Sequence, residues 1–197
     1  MRVLPHFLLW SVGAAPAQTQ TTRRERAAIG RYASGRRRIV EIGVWHGVTT
    51  SVMRREMASE AVLYAVDPFP VGRLGLSLHR LIAIGETSKV SVGRIEWRRM
   101  TGAEAAVHHV RAGLPPVDFV FIDGDHSYDG LGEDWRGWSG LVAPGGCVAL
   151  HDTQSTPERD ISEAGSVRFC HDVILADPRY ELVELVDSLT VIRRRTE

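Results

Sequence analysis

Asp118-Phe-Val-Phe-Ile-Asp123, running directly into Gly124-Asp-His-Ser-Tyr128, is the stretch on which the fold of this chain turns. An unbroken apolar run of this kind suits a strand buried on both faces, as in a parallel sheet, rather than a half-exposed strand with alternating polarity. Gly146-Cys-Val-Ala-Leu150 repeats the pattern and runs into His151-Asp152. Neighbouring parallel strands deliver their carboxyl ends to one crevice, so these two polar clusters, distant in sequence, are expected to meet at one site.

Outward from that pair, short apolar strands alternate with helical stretches, the pattern of an α/β domain with a mostly parallel sheet. Thr22 and Glu25 have capping-box spacing and predict a helix start, with Gly35 ending it. Strands are expected at Ile39 to Ile42, Val62 to Val66 and Arg94 to Arg99, and a helix over Leu76 to Ile84. Leu131, Trp135, Trp138 and Val142 recur at helical spacing, which reads as one core-facing stripe and makes the tryptophans core residues. Pro144-Gly-Gly146 reads as the turn into the next strand. Glu181 to Val186 and Leu189 to Ile192, around Asp187-Ser188, read as an antiparallel hairpin at a sheet edge.

The chain has 197 residues, 44% of them hydrophobic, enough for one domain with a sizeable core. Its 24 basic and 24 acidic residues cancel, which removes the electrostatic argument for nucleic acid or an anionic membrane as partner. A small molecule fits better. Cys147 and Cys170 form neither a disulfide framework nor a metal-binding spacing, so a reducing, cytoplasmic setting is expected. Met1 to Gln18, with Arg2, Phe7-Leu-Leu-Trp10 and Ala15-Pro-Ala17, mimics a secretory leader. Pro5 and His6 interrupt its apolar run, and residues 1–21 are read instead as an amphipathic extension over the site of a domain spanning 1–197. Its apolar residues also suggest a homodimer contact.

The end of the first strand carries chemistry. Glu41-Ile-Gly43-Val-Trp-His-Gly47 places two glycines around a turn, followed by Thr49-Thr-Ser51 opening a helix. Such a turn lets a ligand approach the backbone, and the helix start offers N–H groups to an anion. The middle glycine of a dinucleotide fingerprint is missing, and Trp45 and His46 would crowd a pyrophosphate, which counts against NAD or FAD. Asp67, ending the second strand, reads either as a ligand for ribose hydroxyls or as a turn residue before Pro68.

Taken in order, Val40-Glu41-Ile-Gly43 with Gly47, Ala65-Val-Asp67, Phe121-Ile-Asp-Gly-Asp-His-Ser-Tyr128, Pro144-Gly-Gly146 and His151-Asp152 resemble the class I S-adenosylmethionine-dependent methyltransferases, and within them the small-molecule O-methyltransferase branch. The resemblance implies a Rossmann-like sheet of seven strands in the order 3-2-1-4-5-7-6, the last antiparallel, with helices on both faces. It implies that Glu41, Gly43 and Gly47 hold the methionine end of the cofactor, Asp67 its ribose, and Met100, Thr101 and Gly102 flank its adenine. Asp123 falls where relatives place either a metal ligand or a contact to the cofactor's amino group. His151 and Asp152 would complete a site for a divalent ion such as Mg2+ or Mn2+, the imidazole making Mg2+ the less natural choice. Asp125 matches the base of sugar-directed relatives and His126 that of catechol-directed ones. The same two residues also suit the cap of the next helix.

The implied activity is transfer of a methyl group to a hydroxyl of a small molecule, a sugar or natural product. The acceptor pocket would be formed by Phe7 to Thr22, Pro70 to Leu76 and the polar loop Thr153 to Gly165. A non-catalytic cofactor-binding partner domain and a nicotinamide-dependent oxidoreductase are the other classes considered. The convergent polar residues argue against the first and the missing glycine against the second.

Overall fold

A computed structural model describes residues 3–72 and 75–196. Arg2 of the leader-like segment, and Arg73 and Leu74 of the expected acceptor wall, lie outside the described residues. Strands β1 (Arg38–Ile42), β2 (Val62–Val66), β3 (Arg94–Arg98), β4 (Val117–Ile122), β5 (Val142–Leu150), β6 (Tyr180–Val186) and β7 (Leu189–Arg194) form one sheet in the order β3-β2-β1-β4-β5-β7-β6. The pairs from β3 through β5 are parallel, and β7 runs antiparallel to both β5 and β6. The expected order and orientation are those observed.

Alternation along each central strand divides the core in two. Val40, Ile42, Val120, Ile122, Val148 and Leu150 face one layer, where Trp135 and Trp138 of α6 (Tyr128–Trp138) cover them. Ile39, Phe119, Phe121 and Ala149 face the other, against Ala28 and Ile29 of α2 (Arg23–Ala33) and Met53 of α3 (Val48–Glu56). Burying each of these large side chains contributes about 1.5–3 kcal/mol, which explains why the strands lack polar alternation.

Local signals set most helix starts. Thr22 and Glu25 form the reciprocal capping box of α2, and Thr101 and Glu104 do the same for α5 (Gly102–Arg111). α4 (Leu78–Thr87) starts later than Leu76 because Ser77 caps it, its hydroxyl accepting from the Arg80 N–H. Val142 is a correction: α6 ends at Trp138, and Val142 instead opens β5, where Val117 pairs with it. Pro144-Gly-Gly146 likewise falls within β5, at a register shift, with Gly145 at φ +76°. α7 (Gly165–Phe169) follows the polar loop and continues as a π-helical turn over Cys170–Ile174. The N-terminal helix α1 (Val3–Ser11) packs on α4, with the Trp10 indole over Gly85 and donating to Glu86. Among the described residues no helix is long and apolar enough to cross a membrane.

Candidate active site

A cavity of about 500 Å³ opens at the carboxyl ends of β1 through β4. That volume is of small-molecule size, and the position is where ligands bind in open α/β sheets. Its floor is built by close approaches that demand glycine. Gly43 has φ +85°, and a Cβ there would fall 2.0 Å from the Asp123 carbonyl oxygen, so the ends of β1 and β4 nearly touch. Gly102 and Gly124 likewise have no room for a side chain without displacing Asp134 or Ile42.

Asp67 fastens the turn after β1. Its Oδ2 accepts from the backbone N–H groups of Val44 at 3.0 Å and Trp45 at 3.1 Å, and its Oδ1 from Phe69 N–H at 2.7 Å. This clamp holds Trp45 at φ +49°, a left-handed conformation that a bulky residue rarely adopts. Beside it, His46 stacks on Trp45, His6 and His79. Its Nδ1 accepts from Gln18 N–H at 3.1 Å, and its Nε2 lies 2.9 Å from His79 Nδ1. Burial, reinforced by His79 and His6, lowers the His46 pKa to about 4. Of the N-terminal segment, Gln18, Thr19 and Gln20 line the cavity.

Gly43, Asp67, Met100, Thr101, Gly102, Asp123, Asp125 and His126 all line this cavity. Glu41 and Gly47 stand behind it. Glu41 is fully buried with Oε2 accepting from the Thr50 hydroxyl and Oε1 unpartnered, and burial holds its carboxyl well above the usual range, aided by the charges of Asp123 and Asp67. Gly47 has φ +73° and packs against Ala83 of α4. The loop Thr153 to Gly165 does not line the cavity, and of Pro70 to Leu76 no described residue does.

At the rim, ligand atoms of Asp123, His126 and His151 come within 4.8 Å of one another. The hydrogen bonding does not suit a divalent ion. His151 Nδ1 is 2.8 Å from Asp123 Oδ1 and its Nε2 3.5 Å from Glu25 Oε2, so both ring nitrogens face carboxylates, the arrangement of a donating imidazolium. Burial alone would depress this imidazole's pKa, but the bonds to Asp123 and Glu25 outweigh it and hold the pKa high. Asp152 is drawn away to Arg159, 2.8 Å distant. His151 and Arg159 already partner the carboxylates here, and with the two His151 ring nitrogens turned to Asp123 and Glu25 the donor set does not fit a metal in this arrangement.

Glu25 is a site residue that sequence reasoning placed only in a helix cap. Its carboxylate takes Thr22 N–H, the N–H and hydroxyl of Ser188, and the approach of His151, joining α2, the β6–β7 turn and the rim. Asp125 accepts from Ser127 N–H at 2.8 Å, at the entry to α6, while His126 is partly exposed with Nε2 3.5 Å from Asp123 Oδ1.

Fold and site together define a cofactor-binding α/β enzyme domain with its cavity at the sheet's carboxyl edge. The chain belongs to the methyltransferase-domain family, whose model matches residues 40–153. A search of curated proteins by sequence gives no match. Among solved structures it is similar to an O-methyltransferase from Bacillus cereus in complex with S-adenosylhomocysteine, at TM-score 0.66 and 19% identity over 98% of this chain and 91% of that one. It is also similar to the O-methyltransferase of tomaymycin synthesis from Streptomyces achromogenes in complex with S-adenosylmethionine, at TM-score 0.70 and 17% identity over 99% and 90%. An rRNA methylase from Streptococcus thermophilus matches at TM-score 0.59 and 12% identity over 90% and 99%. At these identities the likeness is one of fold.

Proposed function

We propose that this chain is an S-adenosylmethionine-dependent methyltransferase that acts on a hydroxyl of a small molecule, a sugar or natural product, without a metal ion. The observation that carries the reading is the continuous cavity that joins the Gly43 turn, Asp67 and Gly102 to the Asp123–His126 rim. Glycine faces give a flat ligand room, the start of α3 offers N–H groups to a carboxylate, and Asp67 offers acceptors to hydroxyls, so the residues present fit this cofactor.

When bound, the cofactor supplies a methyl group already activated on sulfonium sulfur. What remains for the protein is alignment and removal of the acceptor's proton. His126 is the base in this reading. With its Nε2 turned to Asp123, Nδ1 is left to take the hydroxyl proton, and the Asp123 carboxylate stabilises the imidazolium formed. Asp125, committed to Ser127 N–H, positions the loop. His151, bonded through Nδ1 to Asp123, fixes that carboxylate. Gln18, Thr19 and Gln20 would contact the acceptor.

The free, buried thiols Cys147 and Cys170 support a reducing, cytoplasmic setting. The exposed Leu4, Leu8 and Leu9 of α1 are the surface for a homodimer, which light scattering would detect. Calorimetry with S-adenosylhomocysteine and with NAD tests the central claim. Micromolar binding of the former alone is expected. Binding of NAD instead would make the chain an oxidoreductase, and tight cofactor binding with no transfer to any hydroxyl acceptor would favour a non-catalytic partner domain.

A further inference from the structure

One buried acid of the cavity is left unused by these roles. Asp134 projects from α6, is 7% exposed, and lines the cavity beside Gly102, Gly124 and Ile42. Its Oδ1 lies 2.1 Å from where a Cβ on Gly102 would stand, and its Oδ2 3.2 Å from one on Gly124. The carboxyl group therefore occupies a slot between the start of α5 and the end of β4 that requires glycine at position 102 and is tight at position 124. No described residue donates a hydrogen bond to it, and only the charges of Glu133 and Asp125 bear on it. Facing the cavity with no protein donor, this carboxyl is an acceptor open to a ligand that brings an N–H group.

The rest of the cavity indicates which part of a ligand reaches this slot. The amino-acid end is drawn to the N–H groups that open α3, and the ribose hydroxyls to Asp67, so the base takes the remaining end, between Met100, Gly102 and Gly124. Of the residues after β3 that line the cavity, Met100, Thr101 and Gly102, none has a side-chain acceptor to spare for it. The Thr101 hydroxyl accepts from Glu104 N–H at 3.2 Å and pairs with the Glu104 carboxylate at 3.1 Å, and its neighbours are a methionine and a glycine.

We propose that Asp134 is the residue that recognises the cofactor's adenine, accepting a hydrogen bond from its 6-amino group. This inference rests on the cofactor reading above. Burial, with the charges of Glu133 and Asp125, pushes the Asp134 carboxyl up to about 7, so near neutrality a protonated form is also available that donates to the ring nitrogen beside the amino group. Both forms accept from the amino group.

The test pairs a change in the protein with a change in the ligand. Calorimetry would compare S-adenosylhomocysteine with its analogue carrying hydrogen in place of the 6-amino group, against the wild-type chain, Asp134→Leu and Asp134→Asn. The wild type should prefer the amino ligand by roughly ten- to a hundred-fold, the range expected when a buried acceptor loses its donor. Asp134→Leu should bind both ligands alike. Asp134→Asn, whose amide offers an acceptor and a donor side by side, should keep the preference and guards against a folding defect in the leucine variant. A wild type without preference, or a leucine variant that retains it, overturns the assignment to Asp134. If the wild type binds neither ligand, it is the cofactor reading that has failed.

Discussion

His151 and Asp123 are joined by a 2.8 Å contact between Nδ1 and Oδ1, and the far side of the same imidazole faces Glu25. The positive charge needed at the rim is therefore carried by a side chain. Activity should survive exhaustive chelation, and added Mn2+ or Mg2+ should not raise the turnover number. Loss of activity in chelator, restored by one metal, would show that the ion displaces the His151 proton to solvent and that Asp123, His126 and His151 form its site.

Asp67 makes all its hydrogen bonds to the backbone of the two turns that frame the cavity. Asp67→Ala should lower affinity for S-adenosylhomocysteine at least tenfold and reduce stability by about 1–3 kcal/mol, because three N–H groups lose a charged acceptor. Calorimetry and thermal unfolding read the two effects separately. Unchanged affinity would remove Asp67 from the ribose site and leave it as a clamp on the turn.

How far the sequence carried the fold follows from which residues dictate it. The β4 and β5 runs were legible because strands buried on both faces admit only apolar side chains, and Thr22 with Glu25 because a capping box is local. Val142 was misplaced since its spacing from Leu131 continues the helical stripe by coincidence, while the chain turns at Ser139–Gly140. Asp134 was missed for a related reason. It stands three residues after Leu131 and four before Trp138, on the buried stripe, and an acid at such a position is the signal that was there to find. Glu25 meeting Ser188 and His151, and Asp152 meeting Arg159, depend on tertiary placement that no local pattern encodes.

The histidine stack makes a prediction about pH. His46 has a pKa of about 4 when folded against 6.5 as its ordinary value, so the unfolded chain takes up the proton first as the solution is acidified. Its contribution is fully present above pH 6.5 and is lost as the pH falls towards 4, by up to about 3 kcal/mol. Around the ring stand His6, His79 and Glu86, and of these Glu86 opposes the shift. Thermal melts from pH 8 to 4 should show a steeper fall for the wild type than for His46→Gln. Parallel curves would mean that the stack tolerates the charge.

His126 and Asp125 lie one residue apart, yet the structure commits them differently. Asp125 holds Ser127 N–H and stands against Gly130, whereas the His126 ring keeps one nitrogen clear of Asp123. If His126 removes the acceptor proton, His126→Gln should lower kcat by about 10²–10⁴ with little change in S-adenosylhomocysteine affinity. Asp125→Asn, which keeps an acceptor for Ser127 N–H, should cost less than tenfold by the same reasoning. The reverse ranking would move the base to Asp125 and reduce His126 to a partner of Asp123. The two outcomes also separate acceptor classes, since a carboxylate base needs an acceptor hydroxyl whose proton is taken up late, in step with methyl transfer. An imidazole base backed by the Asp123 carboxylate suits instead a hydroxyl that gives up its proton before the methyl group moves.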